Sequence, residues 1–270
     1  MEYKIGNTIL YVDDVELGYG EGSDYKAILK HITIEEKDIS GIGQIVAIVG
    51  RSGRGKSTLF KAMTGLVKPR KGRILISQDQ NDTKAEEVSE GNVGFVDQKY
   101  TLFRHKTIYQ SLYSALRKRN IPKQEKDAII EKSLAEWNLV DHRNKYPCEL
   151  SGGQRQRTAI IEQILCSGHF MVFDEPFSGL DVGNIKSVKK SFDLIHKAHE
   201  LNTIIFSTHD MRLAVELADS IYIIGFADEK KEYSTIVNHY DLKKLGLAWQ
   251  KFGAQHLELV EKIENDLLKS

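Results

Sequence analysis

A glycine-rich run of residues has the types and spacing needed to hold phosphate groups. Its members are Gly50, Arg51, Ser52, Gly53, Arg54, Gly55, Lys56, Ser57 and Thr58. Glycines let backbone N–H groups turn inward around an anion, and the N-terminus of a following helix adds a partial positive charge. We therefore expect the run to bind a nucleotide, with Lys56 reaching the β- and γ-phosphates and the Ser57 hydroxyl coordinating Mg²⁺. The alternatives are a chance match in a glycine-rich loop and, for Arg51 and Arg54, ordinary solvated side chains.

A pair of adjacent carboxylates supplies the other half of such chemistry. The apolar segment Phe170–Phe173 ends directly at Asp174 and Glu175. A carboxylate at a strand tip can hold Mg²⁺ through its water shell, so Asp174 is a candidate metal ligand. Glu175 then lies where a general base for an attacking water is expected. The alternative is a strand end followed by a solvated acidic turn.

Short apolar runs predict the strands that position these residues. The runs are Gln44–Val49, Gly72–Ile76, Val93–Val96, Phe170–Phe173, Thr203–Ser207 and Ser220–Ile224. Helical patterns separate many of them, at Lys56–Leu66, Ile185–Leu201 and Met211–Ala218. Strands that alternate with helices predict an α/β fold with a largely parallel core sheet.

Three parts of the chain depart from this alternation. Between Tyr100 and Cys166 we predict only helices, at Thr107–Arg119, Gln124–Asn138 and Gly153–Leu165. Residues 7–36 alternate enough to predict antiparallel strands. After Gly225 the chain becomes polar, and apolar residues then recur at helical spacing. They are Leu257, Val260, Ile263 and Leu267, and they predict a C-terminal helix that docks on the body.

Composition bounds the possible functions. The chain has 270 residues and a formal net charge of zero, so bulk electrostatics does not indicate nucleic-acid binding. The two cysteines, Cys148 and Cys166, are expected to be reduced thiols. The first ten residues lack the apolar core of a signal peptide, and every apolar run is only strand-sized. If the protein works at a membrane, we expect another chain to span it.

One motif resembles a known family. Leu150-Ser151-Gly152-Gly153-Gln154 resembles the LSGGQ signature of the ABC (ATP-binding cassette) ATPases, and it lies before the Phe170 strand as in that family. The resemblance extends over residues 11–225, with further motifs in the family's order. Gln98 resembles the Q-loop glutamine, Asp181 the D-loop aspartate and His209 the switch histidine, while Tyr19, ahead of Tyr11, is the candidate for stacking on adenine.

The resemblance implies a fold and a division of the chain. The fold is a P-loop NTPase (RecA-like) α/β core with an antiparallel β subdomain and an inserted α-helical subdomain. We predict a cassette over residues 1–225, with the helical subdomain at about 100–166, and an extension over 226–270 that is helical and packed on the body. The sequence departs from the family in the longer stretch Lys37–Ile42, in Asp97 before Gln98 and in the run Ile161–Leu165.

The resemblance also implies cofactors and a paired arrangement. ATP and Mg²⁺ are the expected cofactors, with Gln98 contacting the metal and His209 the γ-phosphate. Two cassettes, identical or paralogous, sandwich ATP head to tail, so that Ser151, Gly152, Gly153 and Gln154 of one copy face the phosphate loop of the other. Each of these residues also has an ordinary structural interpretation. Gln98 could be a surface amide and His209 a strand-end histidine. Asp181 could be a helix N-cap and Tyr19 a core residue.

The motif types favour a transport function. Asp174-Glu175-Pro176-Phe177 and Leu102-Phe103-Arg104-His105-Lys106-Thr107 resemble importer subunits, and the tail resembles somewhat the nitrate/sulfonate/taurine group. We therefore expect an ATPase subunit, peripheral on the cytoplasmic face of a cell membrane, that energises solute import. Its expected partners are an integral membrane permease, contacted at a groove with Tyr100, Leu102 and Phe103, and a solute-binding protein, but no nucleic acid. The alternatives are an exporter or lipid-extruding subunit, a soluble non-transport ABC ATPase, and a nucleotide-gated binding module that does not hydrolyse.

Overall fold

A computed structural model describes residues 5–39, 41–77, 85–97, 99–227 and 231–269. Over these ranges the chain forms ten strands. They are β1 (Ile5–Tyr19), β2 (Lys26–Ile39), β3 (Gln44–Val49), β4 (Lys71–Ile76), β5 (Glu86–Glu87), β6 (Val93–Val96), β7 (Phe170–Phe173), β8 (Thr203–Thr208), β9 (Ser220–Phe226) and β10 (Ser234–Asp241). The same ranges contain seven α-helices. They are α1 (Lys56–Met63), α2 (Ile108–Ala115), α3 (Lys123–Glu136), α4 (Gly152–Cys166), α5 (Val182–Ala198), α6 (Met211–Leu217) and α7 (Ala254–Lys269).

The described strands form one mixed sheet in the order β5-β4-β1-β2-β10-β9-β3-β8-β7-β6. Strands β9, β3, β8, β7 and β6 are parallel neighbours, whereas β2, β1, β4 and β5 pair antiparallel. A single residue pair, Ser234 with Leu29, joins the two parts between β10 and β2. The predicted parallel core and the antiparallel N-terminal strands are therefore both present, and the sequence reading missed only β5 and β10.

The register of the parallel strands brings the candidate site to one edge. Val49 at the end of β3 pairs with Thr208 at the end of β8, and Phe173 at the end of β7 pairs with Phe206 and with Val96. All of these strands are buried and point the same way, so the loops that follow them leave from the same carboxyl edge. The phosphate loop, the two carboxylates and His209 all follow these strands, so they lie at this edge.

Helices α2, α3 and α4 pack on the sheet through a shared hydrophobic core. Leu112 of α2, Leu134 of α3 and Ile160 of α4 are fully buried and belong to the same cluster as Phe173 and Phe206 of the sheet. This continuity fixes the helical region rigidly against the edge that carries the carboxylates. The boundaries at residues 100, 166 and 225 remain a prediction.

Helix α7 follows β10 and packs against α6 and β9. Its buried residues are His256, Leu259, Val260, Ile263 and Leu267. The predicted apolar face was wrong at Leu257, whose side chain is exposed, because the buried face is centred on Ile263 and Leu257 lies to one side of it. Within the described ranges, no helix is both long and apolar enough to cross a membrane.

Candidate active site

The glycine-rich run forms a tight loop between β3 and α1. A side chain at Gly50 would bring its Cβ within 2.6 Å of the Ile224 carbonyl oxygen, so only glycine fits where the loop leaves the sheet. Gly55 has a φ of 92° and packs against Leu29, which again requires glycine. Because Gly55 is the N-cap and has no side chain, the first N–H groups of α1 face the loop and are available to an anion.

Lys56 is the buried cation of this loop. Its side chain is only 8% exposed, and Nζ donates to the Gly50 carbonyl oxygen at 2.8 Å and to that of Arg51 at 3.4 Å. The same Nζ lies 3.5 Å from Oε1 of Glu175. The lysine is thus folded back on its own loop and neutralised by a carboxylate, a geometry that a phosphate group entering the loop would have to replace.

The carboxylates leave β7 as the sequence predicted. The Asp174 backbone N–H donates to the Val96 carbonyl oxygen at 3.1 Å, which continues the β6–β7 ladder by one residue. The Ser207 hydroxyl donates to Asp174 Oδ1 at 2.8 Å and accepts from the Glu175 N–H at 2.8 Å. Glu175 adopts a left-handed backbone conformation with a φ of 50°, so its side chain turns away from the strand direction.

Glu175 lies between the lysine and the histidine. Its Oε1 is 3.5 Å from Lys56 Nζ and its Oε2 is 3.0 Å from His209 Nδ1. The Glu175 side chain is 21% exposed and that of His209 is 66% exposed, so the carboxylate lies at the mouth of the phosphate loop with access to solvent. Glu175 therefore contacts both of the other predicted residues at the mouth of the phosphate loop, which is where a group that orients a water is expected.

The remaining residues of the loop differ in their surroundings. Ser57 is exposed next to Lys56, as a metal ligand requires, and Ser52 and Gly53 are exposed as well. The guanidinium of Arg54 is not simply solvated but stacks 3.7 Å from the ring centre of Phe226, and burial lowers the pKa of Arg54. Arg51 is exposed.

The aromatic candidate Tyr19 lies beside the same loop. Its side chain is 60% exposed, and its hydroxyl is 3.4 Å from Thr58 Oγ1. The alternative of a core residue is therefore wrong, because a core tyrosine would not leave its ring in solvent. The weaker candidate, Tyr11, is part of β1, where its hydroxyl donates to Asp13.

The signature motif begins α4. Ser151 is the N-cap, its Oγ accepts from the Gln154 N–H at 3.3 Å, and its own N–H donates to Gln154 Oε1 at 2.8 Å, forming a capping box. Gln154 also contacts His142 Nε2 through its amide nitrogen. A Cβ built on Gly152 meets no atom within 4 Å, so this face of the helix terminus is open.

The signature and the phosphate loop remain apart in one chain. Among the described residues, no hydrogen bond or ion pair joins 151–154 to 50–58. Asp181 is exposed just before α5, and its carbonyl oxygen accepts from the Ile185 N–H at 2.9 Å, as at a helix N-terminus. Gly153 lies in the first turn of α4. Within the described residues, the signature at 151–154 is therefore not part of the lysine-centred site of its own chain.

The position of Gln98 lies outside the described residues. On one side of it, the Asp97 carboxylate accepts from the N–H groups of Lys99 and Thr101 at 3.1 Å each and from the Thr101 hydroxyl at 2.7 Å. The unusual Asp97 therefore has a local role, since it holds the turn that follows Gln98.

Two residues near the carboxylates were missed by sequence reasoning. Ser207 was assigned only to a strand, and Tyr100 only to a groove. In the structure, the Tyr100 hydroxyl donates to the Pro176 carbonyl oxygen at 2.8 Å, directly after Glu175. A hydroxyl residue at the end of an otherwise apolar strand, two residues before His209, was the available signal for Ser207.

Fold and site together define a P-loop nucleotide-binding protein. The sequence profile described as ABC transporter matches residues 40–178, more than half of the chain, and the protein belongs to this family. It is 36% identical over 216 residues to the sulfate/thiosulfate import ATP-binding protein CysA of Synechocystis sp., covering 80% of this chain and 58% of that protein. It is 36% identical over 205 residues to CysA of Pectobacterium atrosepticum, covering 73% of this chain and 61% of that one. The chain thus spans about three fifths of the length of these relatives.

Solved structures share the fold. The structure of cbiO1 from Clostridium perfringens, part of the ABC transporter complex cbiONQ, matches with a TM-score of 0.71 at 25% identity, covering 90% of this chain and 92% of that one. A dimeric ATP-binding cassette in a post-hydrolysis state with ADP and Pi matches with a TM-score of 0.66 at 22% identity, covering 87% and 99%. The α/β fold class predicted from the sequence is therefore confirmed.

Proposed function

We propose that the protein is an ATP-hydrolysing subunit of an ABC transporter and that it energises solute import. The observation that carries the proposal is the contact of Glu175 with both Lys56 and His209 at the mouth of the phosphate loop. A binding module that does not hydrolyse would need the lysine but not a carboxylate and a histidine arranged around it. Import is favoured because the similar curated proteins are import ATP-binding proteins.

ATP is the proposed nucleotide, and its phosphates lie in the loop Gly50–Thr58. On binding, the β- and γ-phosphates replace the Gly50 and Arg51 carbonyl oxygens as partners of Lys56. The open N–H groups at the start of α1 donate to the same phosphates. Tyr19, with its exposed ring beside Thr58, stacks on the adenine.

The chain's oxygen donors fit a magnesium ion. The Ser57 hydroxyl is exposed next to Lys56, and the Asp174 carboxylate lies at the end of β7, which are the hard ligands that Mg²⁺ prefers. Gln98 is proposed as the third protein contact. When bound, Mg²⁺ supplies neutralisation of charge on the β- and γ-phosphates.

Hydrolysis requires Glu175 to change its partner. Its carboxylate contacts Lys56, and the more strongly charged phosphates compete for that lysine. Once released, Glu175 orients a water and accepts its proton, while His209 contacts the γ-phosphate and holds the carboxylate in place. Lys56 and the loop N–H groups stabilise the charge that develops on the transferred phosphoryl group.

A second cassette completes the site. Ser151, Gly152, Gly153 and Gln154 of one copy cap the γ-phosphate bound by the other, and Asp181 lies at the same interface. The support for this is the open terminus of α4, which has N–H groups for an anion but no contact with its own phosphate loop. The partner is an identical copy or a paralogous cassette.

The proposed membrane partner is a permease, with this chain on the cytoplasmic face. A groove of about 590 Å³ is lined by Tyr100, Leu102 and Arg104 on one side and Cys148 and Arg155 on the other. The neighbouring Phe103 is 53% exposed, which is unusual for phenylalanine unless a partner covers it. A solute-binding protein is a further proposed component, and the nitrate/sulfonate/taurine likeness remains a prediction about the substrate class.

Glu175→Gln tests the function. We expect the variant to bind ATP, to lose about 10²–10⁴-fold in turnover because the general base is gone, and to form an ATP-dependent dimer. Glu216→Gln, which removes a carboxylate from α6 outside the site, is the matched control and should turn over normally. Near-normal hydrolysis by Glu175→Gln would remove this residue from the role of base. If the unaltered protein bound ATP without turnover, the nucleotide-gated module would be favoured instead. Co-purification with a polytopic membrane chain would support the transporter assignment over a non-transport ATPase.

A further inference from the structure

The turn that carries the proposed base has a backbone conformation that it does not adopt on its own. Glu175 has a φ of 50°, in the left-handed region that residues with a Cβ rarely occupy. Such a conformation persists only where surrounding contacts hold it in place. The contacts that hold residues 174–178 therefore decide where the Glu175 carboxylate points.

One hydroxyl holds the turn from the sheet. Ser207 belongs to the buried strand β8, and its side chain joins the Glu175 N–H to Asp174 Oδ1, with both hydrogen bonds at 2.8 Å. Ser207 is fully buried, so water does not compete for these bonds. The bond to the Glu175 N–H acts on the peptide whose orientation sets the left-handed conformation.

A second hydroxyl holds the turn from the opposite side. The Tyr100 hydroxyl donates to the Pro176 carbonyl oxygen at 2.8 Å and accepts from Gln156 Nε2 at 2.8 Å. Gln156 is a buried residue of α4, the helix that begins with the signature. Tyr100 is only partly exposed, and its hydroxyl is bonded to protein groups on both sides.

We propose that Ser207 and Tyr100 are positioning residues that hold the catalytic turn from two sides, with Ser207 as the fixed contact and Tyr100 as the adjustable one. The proposal rests on the assignment of Glu175 as the base. Ser207 is fixed because β8 is a central strand of the core. Tyr100 is adjustable because it lines the groove proposed for the membrane partner and is bonded to α4, so a shift of either surface is passed to Pro176.

The Ser207 contact is tested with two replacements that are isosteric with each other, one with a hydroxyl and one without. Ser207→Thr keeps the hydroxyl in a β-branched residue that suits a strand, and Ser207→Val has the same shape without it. We expect Ser207→Val to lose about 10-fold or more in kcat with little change in KM for ATP, because two hydrogen bonds to the turn are lost while the phosphate loop is intact. Ser207→Thr should recover most of the turnover.

The comparison separates positioning from general stability. If the two Ser207 variants have equal turnover, the hydroxyl does not position Glu175 and the proposal fails for this residue. A parallel rise in KM in the valine variant would also count against it, because it would indicate damage to ATP binding. Absence of ATPase activity in the unaltered protein would overturn the proposed function instead, so the two failures are distinct.

The Tyr100 contact is tested with Tyr100→Phe, which removes one hydroxyl and keeps the ring in place. We expect a loss of about 3- to 10-fold in kcat with unchanged KM, since one buried hydrogen bond to the turn is lost. Tyr109→Phe is the matched control, because it removes another partly buried hydroxyl in the helical region, one that is bonded to Asp127. Equal turnover of Tyr100→Phe and Tyr109→Phe would overturn the role of Tyr100.

A double-mutant cycle tests the link to α4. Gln156→Leu removes the amide that donates to the Tyr100 hydroxyl. If Gln156 acts through Tyr100, the combined variant should lose little more turnover than Tyr100→Phe alone, because the two changes break one connected pair. Fully additive losses in kcat would show that α4 does not act on the turn through Tyr100.

Discussion

At the scale of single residues, Lys56 has partners within its own chain that a bound phosphate would displace. Its Nζ is bonded to carbonyl oxygens of its own loop and lies beside Glu175. These contacts satisfy a buried cation that would otherwise be costly. An entering phosphate would compete for these partners of Lys56, so one exchange of partners would free the lysine for binding and Glu175 for its proposed role as the base.

Lys56→Ala should weaken ATP binding by about 10- to 100-fold, because a charge-assisted contact to the phosphates is lost. The measurement is a fluorescence or calorimetric titration with ATP in the presence of Mg²⁺. Lys61→Ala is the matched control, since Lys61 is an exposed lysine of the same helix and should leave affinity unchanged. An unchanged affinity in the Lys56 variant would refute the assignment of this lysine to the phosphates.

Sequence patterns located the candidate site residues more readily than the residues that hold them in place. Lys56 and Glu175 each belong to a motif whose spacing is local, and His209 was assigned from its resemblance to the switch histidine of the family. Ser207 was not found because its role depends on which strand lies beside β7, and that is a property of the sheet order. In the sequence, Ser207 is one more residue of an apolar strand. Only the register of that strand shows that its hydroxyl lies against Asp174.

At the scale of elements, α4 carries a buried acid in its C-terminal half, about two turns after the signature. Glu162 is only 8% exposed, and burial raises its pKa from 4.5 to about 7, although the positive charge of Lys106 opposes this in part. The folded state therefore retains a proton on Glu162 in a pH range in which the unfolded chain has lost it. It follows that stability decreases as the pH rises from about 4.5 through about 7.

Glu162→Gln should remove this dependence. The variant should match the unaltered protein near pH 4, where Glu162 is mostly neutral in both the folded and the unfolded state, and exceed it at pH 8 by about 3 kcal/mol in the free energy of unfolding. Denaturant unfolding at the two pH values is the measurement. If the difference between the proteins is the same at both pH values, Glu162 does not titrate in this range.

The C-terminal helix α7 contributes to the stability of the body through one face. Ile263 is fully buried there, whereas Leu268 on the other face is 72% exposed. Ile263→Ala should lower the free energy of unfolding by about 2–5 kcal/mol, because it leaves a cavity under α7. Leu268→Ala is the control of similar size and should change it little, and equal effects of the two would show that α7 is not packed through this face.

Strand β10 shows why one element was not predicted. Its pairing with β9 is interrupted by a register shift between Ile236 and Asn238, so inward and outward residues do not alternate regularly along it. Only its two ends, at Ser234 and Tyr240, are buried. A polar strand with a bulge lacks the period of two on which strand prediction depends, whereas β3, β7 and β8 are buried along their whole length and were placed closely.

At the scale of the whole molecule, the two helix termini that are proposed to bind anions lie in separate parts of the chain. The terminus of α1 belongs to the phosphate loop, and the terminus of α4 belongs to the signature beyond the helical region. Helices α2, α3 and α4 share a continuous core with the sheet, so α4 is not free to fold back on the loop of its own chain. Two copies arranged head to tail would bring each α4 terminus to the other copy's nucleotide.

Gly152→Asp in the Glu175→Gln background tests this arrangement. Within the described residues, a Cβ at Gly152 meets no atom within 4 Å, and an acidic residue in the first turn of a helix is favourable, so the monomer should fold and bind ATP normally. In the dimer, the added carboxylate would lie against the γ-phosphate of the other copy, and like charges at that distance repel strongly where water is excluded. We therefore expect ATP to dimerise Glu175→Gln but not the double variant, as measured by light scattering after size-exclusion chromatography.

Gly152→Ala in the same background, which adds a Cβ without a charge, should retain most of the dimer. If the aspartate variant dimerised as readily as its parent, the α4 terminus could not face the nucleotide of a second copy, and the charge at Gly152 would have no anion to repel.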